Sequence, residues 1–330
     1  MARPAFPVAR ADGPPGVAGA MLGQMHRPCK RPSSSHALFV GASVVSVVSV
    51  LAAGAGLAGC GGRAAARPVP PGPTPIEVVV SAYPLAQLTS YVGGAAVHVV
   101  DLAPPGAQPQ GLSLGATQRD EIEHAAVVID VGDGYQPDVE SAASSTRRHL
   151  SVLPKVSKQP RPYEFWLDPY LMAGAATAIA QVLAGAEPAE RSVFEDGSRN
   201  FGAVANSIES DLVSTFTDCT RNEFITSDNA FERLASSFDL TDVAVDTTGV
   251  EKTVALVRAN SLPTVFSEVG VPSGQVQDVA TSAGVTLKSL DPMELAPSPT
   301  GAAPPSYFGV MEDDLTALEG PLACDTTGGI

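Results

Sequence analysis

The chain has 330 residues, with 35 Asp or Glu against 20 Lys or Arg, which gives a formal net charge of -15 at pH 7. The acidic excess argues against a nucleic-acid-binding protein, and the apolar fraction of 44% argues against a wholly disordered chain. Four widely spaced cysteines exclude a dense disulfide scaffold and a CxxC zinc motif.

The first element, residues 1–59, has the features of an export signal. A basic stretch over 25–31 precedes 21 uncharged, mostly apolar residues over 37–57. The sequence Leu-Ala-Gly directly before Cys60 resembles a bacterial lipobox, in which the cysteine becomes the lipidated first residue. A plain transmembrane anchor is the alternative, because 21 uncharged residues can span a bilayer.

Residues 60–75 form a proline-rich tether with five prolines and no apolar pattern. Such a segment favours an extended polyproline-like chain without a core. Lipidation at Cys60 followed by this tether predicts a protein anchored to the cell membrane on its extracytoplasmic face.

Residues 76–186 predict an N-terminal α/β lobe. Short β-branched runs alternate with helical segments, as expected for buried parallel strands. The predicted strands are 76–81, 97–102 and 126–131, and the predicted helices are 83–91 and 117–124.

Residues 187–218 predict a single connecting helix of about 30 residues, or about 45 Å. Its apolar stripe consists of Phe194, Phe201, Val204, Ile208, Leu212 and Phe216. Gly197 interrupts the pattern near its start. A helix of this length is a stiff connector that restricts lobe motion.

Residues 219–330 predict a C-terminal α/β lobe built like the first. The predicted strands are 223–227, 242–246, 263–268 and 285–290, and the predicted helices are 231–237, 250–259 and 273–283. Alternation in both halves predicts an α/β protein with two parallel-sheet lobes joined by one long helix.

Polar residues lie just beyond several predicted strands, where parallel sheets bind ligands. Gln110, Asp228 and Asp291 follow predicted strands, whereas Glu164 lies in the segment 163–169, which leads into a helix beginning at Pro169. Gln110 and Glu164 come from the N-terminal lobe, while Asp228 and Asp291 come from the C-terminal lobe. We expect these four side chains to meet in the cleft between the lobes.

The segments around these residues carry six short motifs: SAYPL, PPGAQPQ, EFWLDP, TSDNAF, FSE and LDP. In order and spacing they resemble the metal-ion substrate-binding lipoproteins of ABC importers, the zinc and manganese group. The matching positions are 81–85, 104–110, 164–169, 226–231, 266–268 and 290–292. The resemblance implies a fold of two lobes and one long helix, permease and ATPase partners, and a monomer that performs no reaction.

The resemblance also implies a metal site formed by Gln110, Glu164, Asp228 and Asp291, with Glu268 as a supporting or alternative ligand. The family usually has His where this chain has Gln110, Glu164 and Asp228, and Asp291 alone keeps the usual residue. Because all the donors are hard oxygens, the set favours manganese over zinc.

Two other functions are compatible with the replacement of these His ligands. A degenerate member of the family would bind no transition metal and act as a surface interaction or adhesion protein; an arginine among the carboxylates would favour this alternative. An extracellular enzyme using paired carboxylates is the third possibility. The sequence lacks GxxxxGK[ST], GxSxG and HExxH motifs, and this argues against the phosphate-loop, serine-hydrolase and zincin classes.

Cys219 and Cys324 remain after removal of the signal, and an even pair outside the cytosol usually forms a disulfide. Two free buried thiols are the alternative. The resemblance also favours the disulfide, since some members of the family have linked cysteines in these places.

Overall fold

The computed structural model describes residues 74–297 and 305–324, all within one compact unit, Pro68–Ile330. The predicted signal peptide 1–59, the lipidation site Cys60 and the tether up to residue 73 lie outside the described residues. The strands are β1 (Ile76–Val80), β2 (Val97–Asp101), β3 (Val127–Asp130), β4 (His149–Ser151), β5 (Glu223–Thr226), β6 (Thr241–Ala244), β7 (Thr264–Glu268) and β8 (Thr286–Leu290).

The helices alternate with the strands in both halves of the chain. They are α1 (Tyr83–Gly93), α2 (Ala116–His124), α3 (Pro137–Ala143), α4 (Leu153–Val156), α5 (Pro169–Ala186), α6 (Arg191–Thr217), α7 (Glu232–Ser237), α8 (Val245–Thr248), α9 (Val250–Ala259), α10 (Gly274–Ala283) and α11 (Tyr307–Leu322). Three short 3-10 turns, Gly94–Ala96, Phe165–Leu167 and Pro188–Glu190, complete the regular structure of the described residues.

The N-terminal lobe contains a parallel sheet with strand order β2-β1-β3-β4. Alternate residues of β1 enter different cores, because side chains of a strand point to opposite faces. Val78 and Val80 enter the large central core, and Val79 packs with Ile122 of α2 on the other face. Both faces of the sheet are therefore covered, as the apolar runs predict.

Strand β4 and helix α3 are absent from the sequence-based prediction. Strand β4 has three residues and α3 has seven, and both are too short to establish an apolar period. Strand β4 is recognisable only through its parallel pairing with β3, in which Leu150 lies opposite Ile129.

The predicted connecting helix is present as α6, whose 27 residues give a length of about 40 Å. Its predicted apolar stripe is wrong at one position: Val204 is 38% exposed, whereas Ala205 is fully buried. The period of 3.6 residues explains the difference, since the buried face runs from Phe201 through Ala205 to Ile208.

Helix α5 is the only described helix with the length and apolar composition that could cross a membrane. In this fold it packs along α6 and against the N-terminal sheet, where Met172, Ile179 and Leu183 are fully buried. Its apolar composition is that of a central core helix.

Gly197 is required where α6 crosses α1. A Cβ atom at this position would lie 2.4 Å from the Val92 carbonyl oxygen and 2.9 Å from the Val92 Cα. We expect Gly197→Ala to lower the free energy of unfolding by about 1–3 kcal/mol, because backbone atoms cannot rotate out of the way. Chemical denaturation measures this loss.

Gly202 provides the matched control in the same helix. A Cβ there would meet only the Ala173 Cβ, at 3.9 Å, which is an ordinary contact. Gly202→Ala should therefore stabilise the protein by about 0.5–1 kcal/mol through its better helix propensity. Equal effects of the two substitutions would contradict the close approach of α6 to α1.

The C-terminal lobe is less regular than predicted. Its strands form two parallel pairs, β5-β6 and β7-β8, in place of one continuous sheet. The pairs meet where β5 lies against β7, with the Phe224 and Phe266 rings 6.4 Å apart. The predicted strand 242–246 ends at Ala244 because α8 begins at the next residue.

The largest core cluster is shared by both lobes and by the helices between them. It includes Trp166 from the N-terminal half, Phe201 from α6 and Phe266 from the C-terminal lobe. A disulfide between Cys219 and Cys324 joins the chain just after α6 to the chain just after α11. The lobes are therefore tied together at the core as well as through the connecting helix.

Candidate functional site

The loop after β2 is anchored to both lobes but leaves Gln110 exposed. Gly106 donates its backbone N–H to the Ala296 carbonyl at 2.9 Å, which links the loop to the segment after β8. The Gln136 amide donates to the Pro109 carbonyl at 2.8 Å. The loop has a fixed path, and the side chain of Gln110 is exposed on its surface.

Glu164 lies directly before the turn Phe165–Leu167 and is 8% exposed. Burial raises the pKa of Glu164 to about 7. The Arg233 guanidinium lowers this pKa, whereas the negative charge of Asp228 raises it. Glu164 thus lies within electrostatic reach of an aspartate from the opposite lobe.

Asp228 follows β5 and is half-buried, with one carboxylate oxygen accepting the Ala230 N–H at 3.0 Å. Glu268, at the end of β7, lies beside it and is 3% exposed. Burial, followed by the contact and charge of Asp228, raises the pKa of Glu268 to about 11. Neither carboxyl oxygen of Glu268 has a well-aligned hydrogen-bond partner among the described residues.

Two further carboxyl groups extend this negative region. Burial, together with the charge of Asp228, raises the pKa of Asp242 to about 8, although the Thr226 hydroxyl donates to it. Burial, together with the charges of Glu164 and Asp228, raises the pKa of Glu294 to about 7. We call Glu164, Asp228, Asp242, Glu268 and Glu294 the Asp228 cluster.

Asp291 has different surroundings. One of its carboxylate oxygens accepts the Met293 N–H at 2.8 Å, and its own backbone N–H donates to Asp314 at 3.0 Å. Its charge raises the pKa of Asp314 and of Tyr83. Asp291 therefore faces the junction of α1 and α11.

The four predicted ligands do not form one preassembled metal site. Within residues 74–297 and 305–324, no three His, Cys, Asp or Glu side chains are grouped so that one ion could bind all of them. Gln110 is exposed on its loop, and one Asp291 oxygen accepts the Met293 N–H, so the binding of one ion by all four residues stays a prediction. Loop and turn geometry, which the sequence does not specify, directs each side chain.

Buried hydrogen bonds cross from one lobe to the other beside the Asp228 cluster. The Trp166 indole N–H donates to the Pro292 carbonyl at 2.8 Å, and the Ser237 hydroxyl donates to Asp168 at 3.1 Å. Arg233 of α7 is 4% exposed and donates its Nε–H to the Pro162 carbonyl at 2.8 Å. These contacts hold the lobes in the arrangement that brings Glu164 towards Asp228.

The Asp228 cluster can exchange protons for a cation. With pKa values of about 8 and 11, Asp242 and Glu268 hold protons at neutral pH. A cation placed among these groups would favour their ionised forms and release the protons. The donors are oxygens, which suit manganese, magnesium and calcium better than copper.

The family described as ZnuA, the periplasmic component A of a zinc-uptake complex, matches residues 78–320. The chain belongs to this family. The match spans both lobes and α6. The ZnuA family and its structural neighbours are substrate-binding transport proteins and not enzymes.

Two similar proteins illustrate the range of the ZnuA family. A candidate metal-binding protein of Treponema pallidum (strain Nichols) is 23% identical over 252 residues, covering 66% of this chain and 80% of that protein. The zinc-binding protein AdcA of Streptococcus pyogenes serotype M1 is 20% identical over 294 residues, covering 77% of this chain and 57% of AdcA. The chain therefore spans little more than half the length of AdcA.

Among solved structures, the laminin-binding protein Lmb of Streptococcus agalactiae aligns with a TM-score of 0.67. It is 20% identical, and the alignment covers 75% of this chain and 99% of Lmb. Lmb is described as bifunctional, with adhesin and metal-transporting activity. At this identity the likeness establishes the two-lobed fold.

Three residues near the site escaped sequence-based reasoning for this ZnuA-family chain. Asp242 begins the predicted strand 242–246. A charged residue at the start of an otherwise apolar run was the signal that could have identified it. Glu294 lies two residues beyond the LDP motif, in a segment with no periodic pattern. Arg233 is a helix charge that sequence cannot distinguish from a solvated one, because its burial depends on the opposite lobe.

Proposed function

We propose that this ZnuA-family protein captures a divalent metal ion between its lobes and delivers it to an ABC importer. The proposal rests on the Asp228 cluster, whose buried carboxyl groups raise one another's pKa and include oxygens without hydrogen-bond partners among the described residues. A divalent cation would add positive charge to that of Arg233, which faces Glu164, and would stabilise the ionised carboxylates.

Asp228 and Glu268 are the ligands we propose first, with Glu164 approaching from the other lobe. These side chains must reorient to share one ion, since no three are grouped for it among the described residues. Gln110 and Asp291 are not in this first set because of their present orientations. The all-oxygen donors favour manganese over zinc as the transported ion.

The remaining parts of the proposal concern location and partners. Lipidation at Cys60 would anchor the protein to the extracytoplasmic face of the membrane, and the tether 60–75 would hold the lobes away from the lipid. Proteins of the ZnuA family act with the permease and ATPase of an ABC transporter. We propose that this chain serves such a pair as a monomer.

Thermal unfolding of the purified protein tests metal capture. After treatment with EDTA, manganese at about a hundred times its dissociation constant should stabilise the protein by about 2.7 kcal/mol and raise its Tm by about 5–10 °C. Zinc, magnesium and calcium are compared in parallel. The shift should decrease at lower pH, because protons compete with the metal for the carboxylates.

Asp228→Asn and Glu268→Gln should abolish the shift while leaving the metal-free protein folded. Asp228→Asn removes a charge from a repulsive group, and Glu268→Gln replaces a carboxyl that already holds a proton by a neutral amide of similar shape. Asp278→Asn is the matched control, since this exposed carboxylate on α10 is outside the Asp228 cluster. If no cation shifts the Tm, or if both cluster variants respond like the control, the proposed metal capture at this site is wrong.

A second candidate function has a specific observation in its favour. The buried Arg233 lies near Glu164 and already supplies positive charge there, which lessens the need for a metal ion. A family member of this kind would act as a surface interaction or adhesion protein, in line with the adhesin activity described for Lmb. The absence of any metal-induced Tm shift would favour this function.

A further inference from the structure

A separate and widely open cavity of about 470 Å³ lies beside α1, at the end of β2 and at the start of α11. Its walls include Tyr83, Gln87, Tyr91, Asp101 and Ser306. The described residues lining it include no Lys or Arg, and most of the lining is apolar. The volume is within the range of sites for small organic molecules.

Asp101, the last residue of β2, supplies the one carboxylate among the described residues that line this cavity. One of its oxygens accepts the Ala103 N–H at 3.0 Å. The other oxygen is buried and has no hydrogen-bond partner among the described residues. Burial raises the pKa of Asp101 to about 6, so the carboxyl is largely ionised at neutral pH, and the described lining residues include no cation to face it.

The polar part of the cavity wall that α1 contributes is held in place by Gln87. Its amide nitrogen donates to the Tyr83 hydroxyl at 2.5 Å and to the Pro305 carbonyl at 3.0 Å, and its amide oxygen accepts the Tyr307 N–H at 2.9 Å. The Tyr83 hydroxyl accepts from Gln87 and keeps its own proton for donation. This network joins α1 to α11 and fixes the shape of the cavity.

Tyr91 adds an aromatic surface at the rim and is 44% exposed. Its ring is held edge-on by Phe201 at 5.3 Å and by Phe308 at 5.8 Å between centroids. A fixed and accessible aromatic ring near a carboxylate is the arrangement that attracts organic ammonium ions.

We propose that this cavity binds a small organic cation, whose ammonium group pairs with Asp101 and whose apolar part contacts Tyr91. A metal ion fits less well, because the described residues here provide one carboxylate and mostly apolar surface. The net charge of -15 favours the approach of any cation. The proposed site does not depend on metal capture by the Asp228 cluster.

Calorimetric titration of the whole protein in EDTA, with choline as the probe, tests the proposal. Its neutral isostere 3,3-dimethyl-1-butanol serves as the ligand control. We expect choline to bind at least about tenfold more tightly than the alcohol, because only choline carries the positive charge that the Asp101 carboxylate and the Tyr91 ring attract. Comparable binding of both ligands, or none by choline, would overturn the proposal without bearing on metal capture.

Two variants then locate the site. Asp101→Asn keeps the shape of the side chain but removes its charge, and should weaken choline binding about tenfold because the attraction between the two opposite charges is lost. Tyr91→Leu keeps an apolar side chain without the aromatic face, and should weaken binding several-fold. Asp278→Asn should bind choline like the unmodified protein. Undiminished binding by Asp101→Asn would place the ligand elsewhere and reject this cavity.

Discussion

Removing the disulfide by replacing Cys219 and Cys324 together with alanine is expected to lower the free energy of unfolding by about 4–5 kcal/mol. The bond closes a loop with a sequence separation of 105 residues, so it strongly restricts the unfolded chain. It also joins the ends of α6 and α11, where Arg221 donates its backbone N–H to the Leu322 carbonyl at 3.0 Å. Urea denaturation of the oxidised protein and the double variant measures the difference.

Reduction provides the control for this prediction. The unmodified protein in reductant should unfold at the same urea concentration as the double variant, because both lack the covalent link. Cys219→Ala alone should lose nearly as much stability as the double variant. A decrease of less than about 1 kcal/mol in the free energy of unfolding would contradict this prediction. It would mean that other contacts restrict the unfolded chain, or that backbone hydrogen bonds near Cys219 hold the two segments together without the disulfide.

The second large effect concerns Trp166, the single tryptophan of the chain. Its side chain is fully buried in the shared core, with Phe165 at 5.5 Å and Tyr135 at 6.1 Å between ring centroids. Trp166→Ala should lower the free energy of unfolding by about 3–5 kcal/mol, because it creates a large cavity and leaves the Pro292 carbonyl without its indole partner. Circular dichroism in urea measures the loss in both the variant and the parent.

Trp166→Phe separates packing from hydrogen bonding. This variant keeps an aromatic ring in the core and removes the indole N–H. It should therefore lower the free energy of unfolding by about 1–3 kcal/mol, which is less than the effect of Trp166→Ala. Tyr170→Ala, at a residue 63% exposed near the start of α5, controls for loss of an aromatic residue at the surface. Equal losses for Trp166→Ala and Tyr170→Ala would contradict the role of Trp166 at the lobe junction.

Strands in the N-terminal lobe and the long helix could be predicted because their patterns are strong and local. Val78, Val79 and Val80 form an apolar run of the kind that a doubly covered parallel strand requires. The apolar stripe on α6 repeats often enough to predict a helix. The prediction placed Val204 on the buried face, where the structure has Ala205. Strand β4 could not be predicted, because three residues carry too little pattern.

The candidate site was harder to predict because it depends on side-chain direction. In the structure, Glu164 and Asp228 lie within electrostatic reach of each other across the lobes. A turn brings Asp291 beside Asp314 of α11, and position after a strand does not specify such a turn. Arg233 could not be identified at all, since its neighbours Glu164 and Pro162 belong to the opposite lobe.

The sequence by itself determined the two α/β halves, the helix between them and the acidic character of the segments that follow the strands. These properties are local, because apolar periodicity and turn composition act over a few residues. Tertiary structure alone decided which carboxyl groups share the Asp228 cluster, which arginine accompanies them and where Asp101 meets an apolar cavity. Those properties depend on burial and on contacts between distant segments, which desolvate a charge and select its neighbours.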